Sequence, residues 1–391
     1  MILVNLNKMV IEISRSTATK RKTPEEPNVD QTPFEVDIGR ILFSIAYRLL
    51  CDKTQVLPIN PNATKPEVLW PYRHRATHTQ EVAHTAERIA KHLGLNPDLA
   101  RAIALAHDLG HPPTGHAGEK TLDKILKKYG EIGFDHDEQT FRLVSKILTI
   151  RPEYCGLNLT SQVLTDLMSR AKRDHNNNIY LPEAYPQGYM SLEAQIVESA
   201  DKLSFIIHDL EDAIMAGIIA IDELRQCSLL NQVFDALKTE MSATAYKNTH
   251  LLLFALKKWV YNYFLQSLYL QSETVHKYIR GRSFQNTQVL FITDQRLILC
   301  APLVQDEFDT LLDWLYKNLY KGKMGDRDKK SEYTINKLFE LLYENDELRT
   351  IYNQFGIKKD PNESLAKHIT DLIVMSGETY IRKFNDNVLM A

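Results

Sequence analysis

Cysteine and glycine are both scarce in this chain. The four cysteines, Cys51, Cys155, Cys227 and Cys300, stand far apart with no CxxC pair, which excludes a disulfide-knitted scaffold or zinc knuckle and fits a reducing cytoplasm. Fifteen glycines in 391 residues are too few for a turn-rich β architecture, because tight turns with positive φ draw on glycine. Neither charge is in excess: 47 Lys and Arg face 50 Asp and Glu, a net charge of -3. No general basic field therefore exists to hold nucleic acid, and a polyanion would need a local pocket. Long hydrophobic runs are missing as well. The most apolar stretch, Leu251 to Leu270, is broken by Lys257, Lys258, Asn262 and Gln266, so it reads as a buried helix, not a membrane span. The opening Met1 to Val10 lacks a charged leader and a small-residue cleavage site, so no secretory signal is read.

What is present is mostly helical patterning. Ser14 to Pro33 carries Lys20, Arg21, Lys22 and few large apolar side chains, too little to order on its own. Thr77 and Gln80 have capping-box spacing ahead of Val82, Ala86, Ile89 and Leu93, which share one helical face. Asn96-Pro97 opens a second helix through Leu99, Ala102, Ile103, Ala106 and Leu109, with Gly110 as its stop. A third runs from Gly118 to Tyr129, and Ser191 caps a long one through Asp201 to Met215, with Leu192, Ile196, Val197, Ala200 and Leu203 inward. Helices are also expected over 251–270, 305–320, 331–344 and 362–385, a short β-hairpin over Val289 to Ile298, and an exposed loop over Lys321 to Lys330. The resulting expectation is an all-α protein with that hairpin: a flexible arm over 1–33, a core over 34–230, and C-terminal helices over 231–391 packed on it.

Histidine is distributed unevenly. Of 13, eight fall between residues 70 and 140: His74, His78, His84, His92, His107, His111, His116 and His136. A lone imidazole usually just finds a hydrogen bond, and His84, His92, His175, His250, His276 and His368 are read that way. The segment His107-Asp108-Leu109-Gly110-His111-Pro112-Pro113-Thr114-Gly115-His116 differs, because adjacent His and Asp end an apolar helix and two imidazoles follow a glycine break. Neighbouring helix residues point about 100° apart, so His107 and Asp108 can share an ion only if other helices bring ligands alongside. His78 and Asp201 are the candidates, the latter a carboxylate among apolar neighbours that needs a partner. Spacing alone leaves the quartet open.

The ordered set Asp37-Ile38-Gly39-Arg40, Asp52-Lys53-Thr54-Gln55, Arg75-Ala76-Thr77-His78, His107 to Glu119, Glu138-Gln139-Thr140, Gly156-Leu157-Asn158-Leu159-Thr160 and Glu193 to Asp212 resembles the dGTP triphosphohydrolase branch of the HD-domain phosphohydrolases. The resemblance covers about residues 37–217. It implies hydrolysis of deoxynucleoside triphosphates to deoxynucleoside and tripolyphosphate. It also implies a divalent ion on His78, His107, Asp108 and Asp201. Two imidazoles and two carboxylates suit Mn, Fe, Co, Ni or Zn and accept Mg. By the same resemblance His116 and Glu119 form a proton relay with His111 beside it, Arg75 and Lys202 contact phosphate, with Lys53 a weaker candidate, and Gln55 and Asp209 hold the 3′-hydroxyl. The implied partners are the dNTP, other copies of the chain in a homo-oligomer such as a hexamer, and a nucleotide or single-stranded DNA effector, with no membrane.

Two departures stand out. Phe205 replaces a tyrosine that packs on the sugar in much of the branch, keeping the ring that can exclude a 2′-hydroxyl and losing the hydroxyl that could hydrogen-bond, so the sequence leaves strictness against ribonucleotides open. Ser169 to Tyr180, with Arg173, His175 and Asn176 to Asn178, differs from the usual segment and bears on base choice. Against the triphosphohydrolase stand another HD-domain phosphohydrolase, disfavoured by Gln55, Arg75 and Glu119, and an effector-controlled nucleotide sensor, disfavoured by an intact His116 and Glu119. A nucleic-acid-binding protein is a third alternative, but its basic runs lack interleaved aromatics.

Overall fold

Polar caps set where the helices begin. In the computed structural model, which describes residues 11–55, 73–152, 154–170, 189–281, 289–323 and 325–389, Thr32 and Glu35 form a reciprocal capping box at α1 (Pro33–Leu42). Next, α2 (Arg75–Leu93) ends on Gly94, whose φ of 71° is the left-handed turn that glycine permits. Asn96 accepts from the backbone of Asp98 and Leu99 to start α3 (Pro97–Ala106). Then come α4 (Gly115–Lys128), α5 (His136–Arg142) and α6 (Ser161–Ser169), and Ser191 caps the long α7 (Leu192–Met215). The later chain supplies α8 (Thr249–Gln271), α9 (Pro302–Leu315), α10 (Gly325–Glu344), α11 (Leu365–Val374) and α12 (Glu378–Leu389), with shorter helices between them.

The core is built around α3. Leu99, Ala100, Ala102, Ile103, Ala104, Leu105 and Ala106 are all fully buried, and a helix apolar all round must be covered on every side. Helices α1, α2 and α7 cover it. Val82, Ala86, Ile89 and Leu93 of α2 and Leu192, Ile196, Val197, Ala200 and Leu203 of α7 are buried, as their spacing predicts. The fold is therefore all-α apart from one small sheet of β1 (Ile11–Ser14), β2 (Met190–Ser191) and β3 (Val289–Thr293), ordered β1-β3-β2. Both pairings are antiparallel, with Ile11 opposite Ile292 and Met190 opposite Thr293.

Several expectations change. Residues 289–298 form no hairpin; β3 pairs with two remote segments, which local sequence does not announce. The arm expected over 1–33 is docked along part of its described length: β1 joins the sheet, Ala18 is buried, and Arg21 reaches Asp37 at 2.5 Å and the Asn158 carbonyl at 2.6 Å, while Glu26 to Gln31 stay exposed. The partner for that guanidinium is a buried carboxylate supplied by the folded core. Helix α2 starts at Arg75 with His74 as N-cap and no capping side chain, so Thr77 lies inside the first turn. Helix α4 begins at Gly115, earlier than Gly118. The stretch 321–330 is not a loop, since helical backbone continues over Tyr316–Lys323 and α10 starts at Gly325. The helix expected over 362–385 is two, α11 and α12, separated at Met375–Gly377. The segment over 171–180 that bears on base choice lies outside the described residues.

Candidate active site

Three helices converge behind the His107-Asp108 step. The His107 Nδ1 lies 2.6 Å from the Ala104 carbonyl, so that nitrogen donates and Nε2 points inward. This Nε2 is buried without a hydrogen bond and faces Asp108 Oδ1 at 3.3 Å and Asp201 Oδ1 at 3.6 Å. From α2, His78 Nε2 approaches the same Asp201 oxygen at 3.1 Å. The donor atoms of His78, His107 and Asp201 all lie within 4.8 Å of one another, with Asp108 adjoining. Three of the expected four are thus brought together, while Asp108 Oδ1 sits at the edge, shared between His107 Nε2 at 3.3 Å and a second group with His111 and His136.

The charges around it are held in place. Burial opposes ionisation of Asp108, but His107, Arg75 and His111 outweigh it and keep the carboxyl well below the usual range. Arg75 Nη1 donates to Asp108 Oδ2 at 2.8 Å, and Arg170 donates to Asp201 Oδ2 at 3.2 Å. Each carboxylate therefore keeps its other oxygen turned to the centre. Burial would also lower His107, yet Asp108 and Asp201 raise it to about 9. The buried Asp108 and the half-buried Asp201 draw a positive charge onto this imidazole; a divalent cation among the same atoms would supply that charge directly, so the donor set fits a metal.

A second layer adjoins. The rings of His111 and His136 stack with centroids 3.8 Å apart, and His136 Nδ1 lies 2.8 Å from Glu119 Oε1. His116 Nδ1 reaches the other Glu119 oxygen at 3.3 Å, with its ring mostly exposed. Burial would raise Glu119, but hydrogen bonds from His116 and His136 reverse this and hold it well below the ordinary range. The buried Lys53 donates from Nζ to the His111 carbonyl at 2.6 Å, and burial pushes its ammonium down to about 7.

Of the other expected contacts, Gln55 and Arg75 are buried, with Gln55 Oε1 and Arg75 Nε lacking partners. Asp209 is buried too. Its Oδ2 accepts from Tyr320, its Oδ1 is unpartnered, and burial pushes it up to about 8. Phe205 is half-buried against the core. Lys202 is not brought in, being ion-paired with Asp309 of α9. Two clefts among the described residues, of about 570 and 550 Å³, lie elsewhere, and neither is lined by His107, Asp108 or Asp201.

Some residues here carry no role in the sequence reading. His136 was within reach of it, standing among the eight clustered histidines. Arg170, Tyr320 and Glu378 gave no signal, because each meets the site only through the tertiary fold. Glu378, at the start of α12, accepts from Thr54 N and Oγ1, both at 2.8 Å, and from Thr114 N at 2.9 Å. It thereby ties the strand of Lys53–Gln55 to the Thr114–Gly115 turn, where both residues have positive φ.

The HD domain family profile matches residues 75–206, the span that holds all four quartet residues. A protein of Leptospira interrogans described as deoxyguanosinetriphosphate triphosphohydrolase-like is 31% identical over 95% of this chain and 93% of its own length. A Caulobacter vibrioides protein of the same description is 32% identical over 78% of this chain and 77% of its own. The chain belongs to this family of HD-domain phosphohydrolases. A relative from Wolinella succinogenes is 39% identical over a shorter stretch, 54% of this chain. HD domains are metal-dependent, in keeping with the donor set above. No helix among the described residues is long and apolar enough to cross a membrane.

Proposed function

We propose that the protein hydrolyses deoxynucleoside triphosphates to deoxynucleoside and tripolyphosphate, with a divalent ion, Mn or Mg, on His78, His107, Asp108 and Asp201. The observation that carries this reading is the cluster of buried polar atoms without partners. His107 Nε2 asks for a cation, Arg75 Nε for an anion, and Gln55 Oε1 and Asp209 Oδ1 for donors such as a sugar hydroxyl. A nucleotide phosphate, its counter-ion and its deoxyribose together answer these needs.

When bound, the ion supplies positive charge at the α-phosphate and favours ionisation of a water beside it. Arg75 is pinned by Asp108 and presents its remaining N–H groups to phosphate oxygens. Water adds to the α-phosphorus and the bond from phosphorus to the 5′-oxygen breaks, so the departing oxygen needs a proton. His116, oriented by Glu119, would give it, with His136 holding the other Glu119 oxygen. Asp209, kept protonated near neutral pH by burial, can donate to or accept from the 3′-hydroxyl. Phe205 supplies a ring without a hydroxyl beside the sugar.

A cytoplasmic homo-oligomer completes the proposal; the described cysteines are all free, and Phe43 is 86% exposed, an apolar surface that another copy would cover. The test is chromatography of products from each dNTP and from GTP, with Mn, with Mg and with chelator. Deoxynucleoside plus tripolyphosphate supports the reading. Monophosphate products, or turnover that survives chelation, would refute it.

A further inference from the structure

His78 is gripped at both ring nitrogens. On one side Nε2 faces Asp201 at 3.1 Å; on the other, Nδ1 lies 3.1 Å from Nδ1 of His208, with the two rings edge to face at 88°. His208 is 5% exposed, and its Nε2 in turn lies 2.5 Å from Glu81 Oε2. Glu81 is itself fixed by Arg73 Nε at 3.1 Å, and Arg73 is anchored to Asp212 at 3.2 Å. The pieces come from two helices. His78 and Glu81 stand one turn apart on α2, and Asp201 and His208 two turns apart on α7, so packing α2 on α7 assembles the chain in one step.

With His208 neutral, the hydrogen-bond inventory allows one proton order. Glu81 is a carboxylate and only accepts, so His208 Nε2 carries the hydrogen that meets it. In a neutral ring His208 Nδ1 is then a lone pair, and the contact with His78 requires the hydrogen on His78 Nδ1. His78 Nε2 is left bare, the form in which imidazole binds a metal. We infer that His208 and Glu81 are positioning residues that hold His78 in its metal-binding tautomer and orientation, through a carboxylate–imidazole–imidazole chain. This rests on the reading that His78 ligates a divalent ion. General experience with metal sites is that such outer partners set affinity by about 10–100-fold.

The test uses Mn(II) alone, titrated into the full chain while the EPR signal of free Mn is followed. Expected is a weakening of Mn affinity by about 10–100-fold in His208→Ala, with His208→Asn, whose amide oxygen accepts from His78 Nδ1, within about threefold of wild type. Glu81→Ala, at a position whose side chain is partly exposed, should weaken Mn by about 3–10-fold, and Glu81→Gln should recover most of that, since its amide oxygen still accepts. At saturating Mn the KM for nucleotide should be unchanged in these variants. His107→Ala serves as the reference for loss of the centre. If His208→Ala and Glu81→Ala bind Mn like wild type while His107→Ala does not, the positioning inference is overturned and the metal reading stands. If wild type and His107→Ala bind Mn equally, both are overturned.

Discussion

Replacing Glu378 with alanine should loosen the active site from a position 264 residues away in sequence from the Thr114 it holds, and the structure sets the size of the effect. The side chain accepts three hydrogen bonds, two from Thr54 and one from Thr114 N. Hydrogen bonds to a charged acceptor contribute about 1.5–3 kcal/mol each when buried. These are part-buried and water can replace some of them, so a total of about 2–4 kcal/mol is expected for the variant. Unfolding entropy of about 2.1 cal/mol/K per residue makes that a fall in Tm of about 2–5 °C for a chain of this size. The kinetic effect should be larger than the thermal one. The released segments carry Lys53 and Gln55 on one side and the Gly115–His116 start of α4 on the other, and a misplacement of about 1 Å can cost about 100-fold in rate. Mn affinity should be unaffected, because none of the four quartet residues touches Glu378. The assay is a differential thermal melt alongside kcat and Mn titration for Glu378→Ala and Glu378→Gln, the amide restoring part of the loss. An alanine variant with unchanged Tm and unchanged kcat would refute the clamp.

Other outcomes can be stated more briefly. Arg142 donates to both oxygens of the buried Asp371, at 2.8 and 2.7 Å, and to Glu363; Arg142→Ala strands that carboxylate and should cost about 3–5 kcal/mol, read as a lower urea midpoint, and an unchanged midpoint would count against it. Asp209 sits at about 8 when folded and about 3.9 when unfolded, so its contribution to stability is fully present below about pH 4 and lost as pH rises through about 8. Asp209→Asn should flatten that part of the stability profile; an identical slope would refute the assignment. His107→Ala should abolish metal-dependent turnover, whereas His116→Ala should keep Mn bound and slow turnover by about 100- to 10,000-fold; full activity in the latter would remove the relay.

The sequence was most informative where the signal is local. Helix α3 declares itself through Asn96-Pro97 and its run of buried Leu, Ile and Ala, and α7 through Ser191 and its apolar face. Residue types and helix positions nominated His78, His107, Asp108 and Asp201 but left them open, and it was the ordered family motifs that joined them into one quartet. Less visible were features whose cause lies elsewhere in the chain. Val289–Thr293 looks like half of a hairpin because its partners, Ile11–Ser14 and Met190–Ser191, are remote. Arg21 looks like one member of a basic run until Asp37 is placed against it. Lys202, next to Asp201, is directed by helical geometry toward Asp309 instead of the centre. His208 and Glu81 resemble ordinary polar residues, and only the packing of α2 on α7 makes them neighbours of His78.

The small sheet also governs how this protein can be cut or synthesised. Strand β2 leads directly into α7, which bears Asp201, and its strand neighbour is β3. On a ribosome the segment 34–230 emerges while β3 is still unmade, so Met190–Ser191 waits as an unpaired edge. Closing β1 onto β3 then joins segments as remote as Ile11 and Ile292, a late and slow event because so long a loop must be closed first. A fragment trimmed to the catalytic span would keep every quartet residue and still lack the strand that anchors the start of their longest helix. Such a fragment should be prone to edge-to-edge association, and the full chain is the unit that purification and folding studies need.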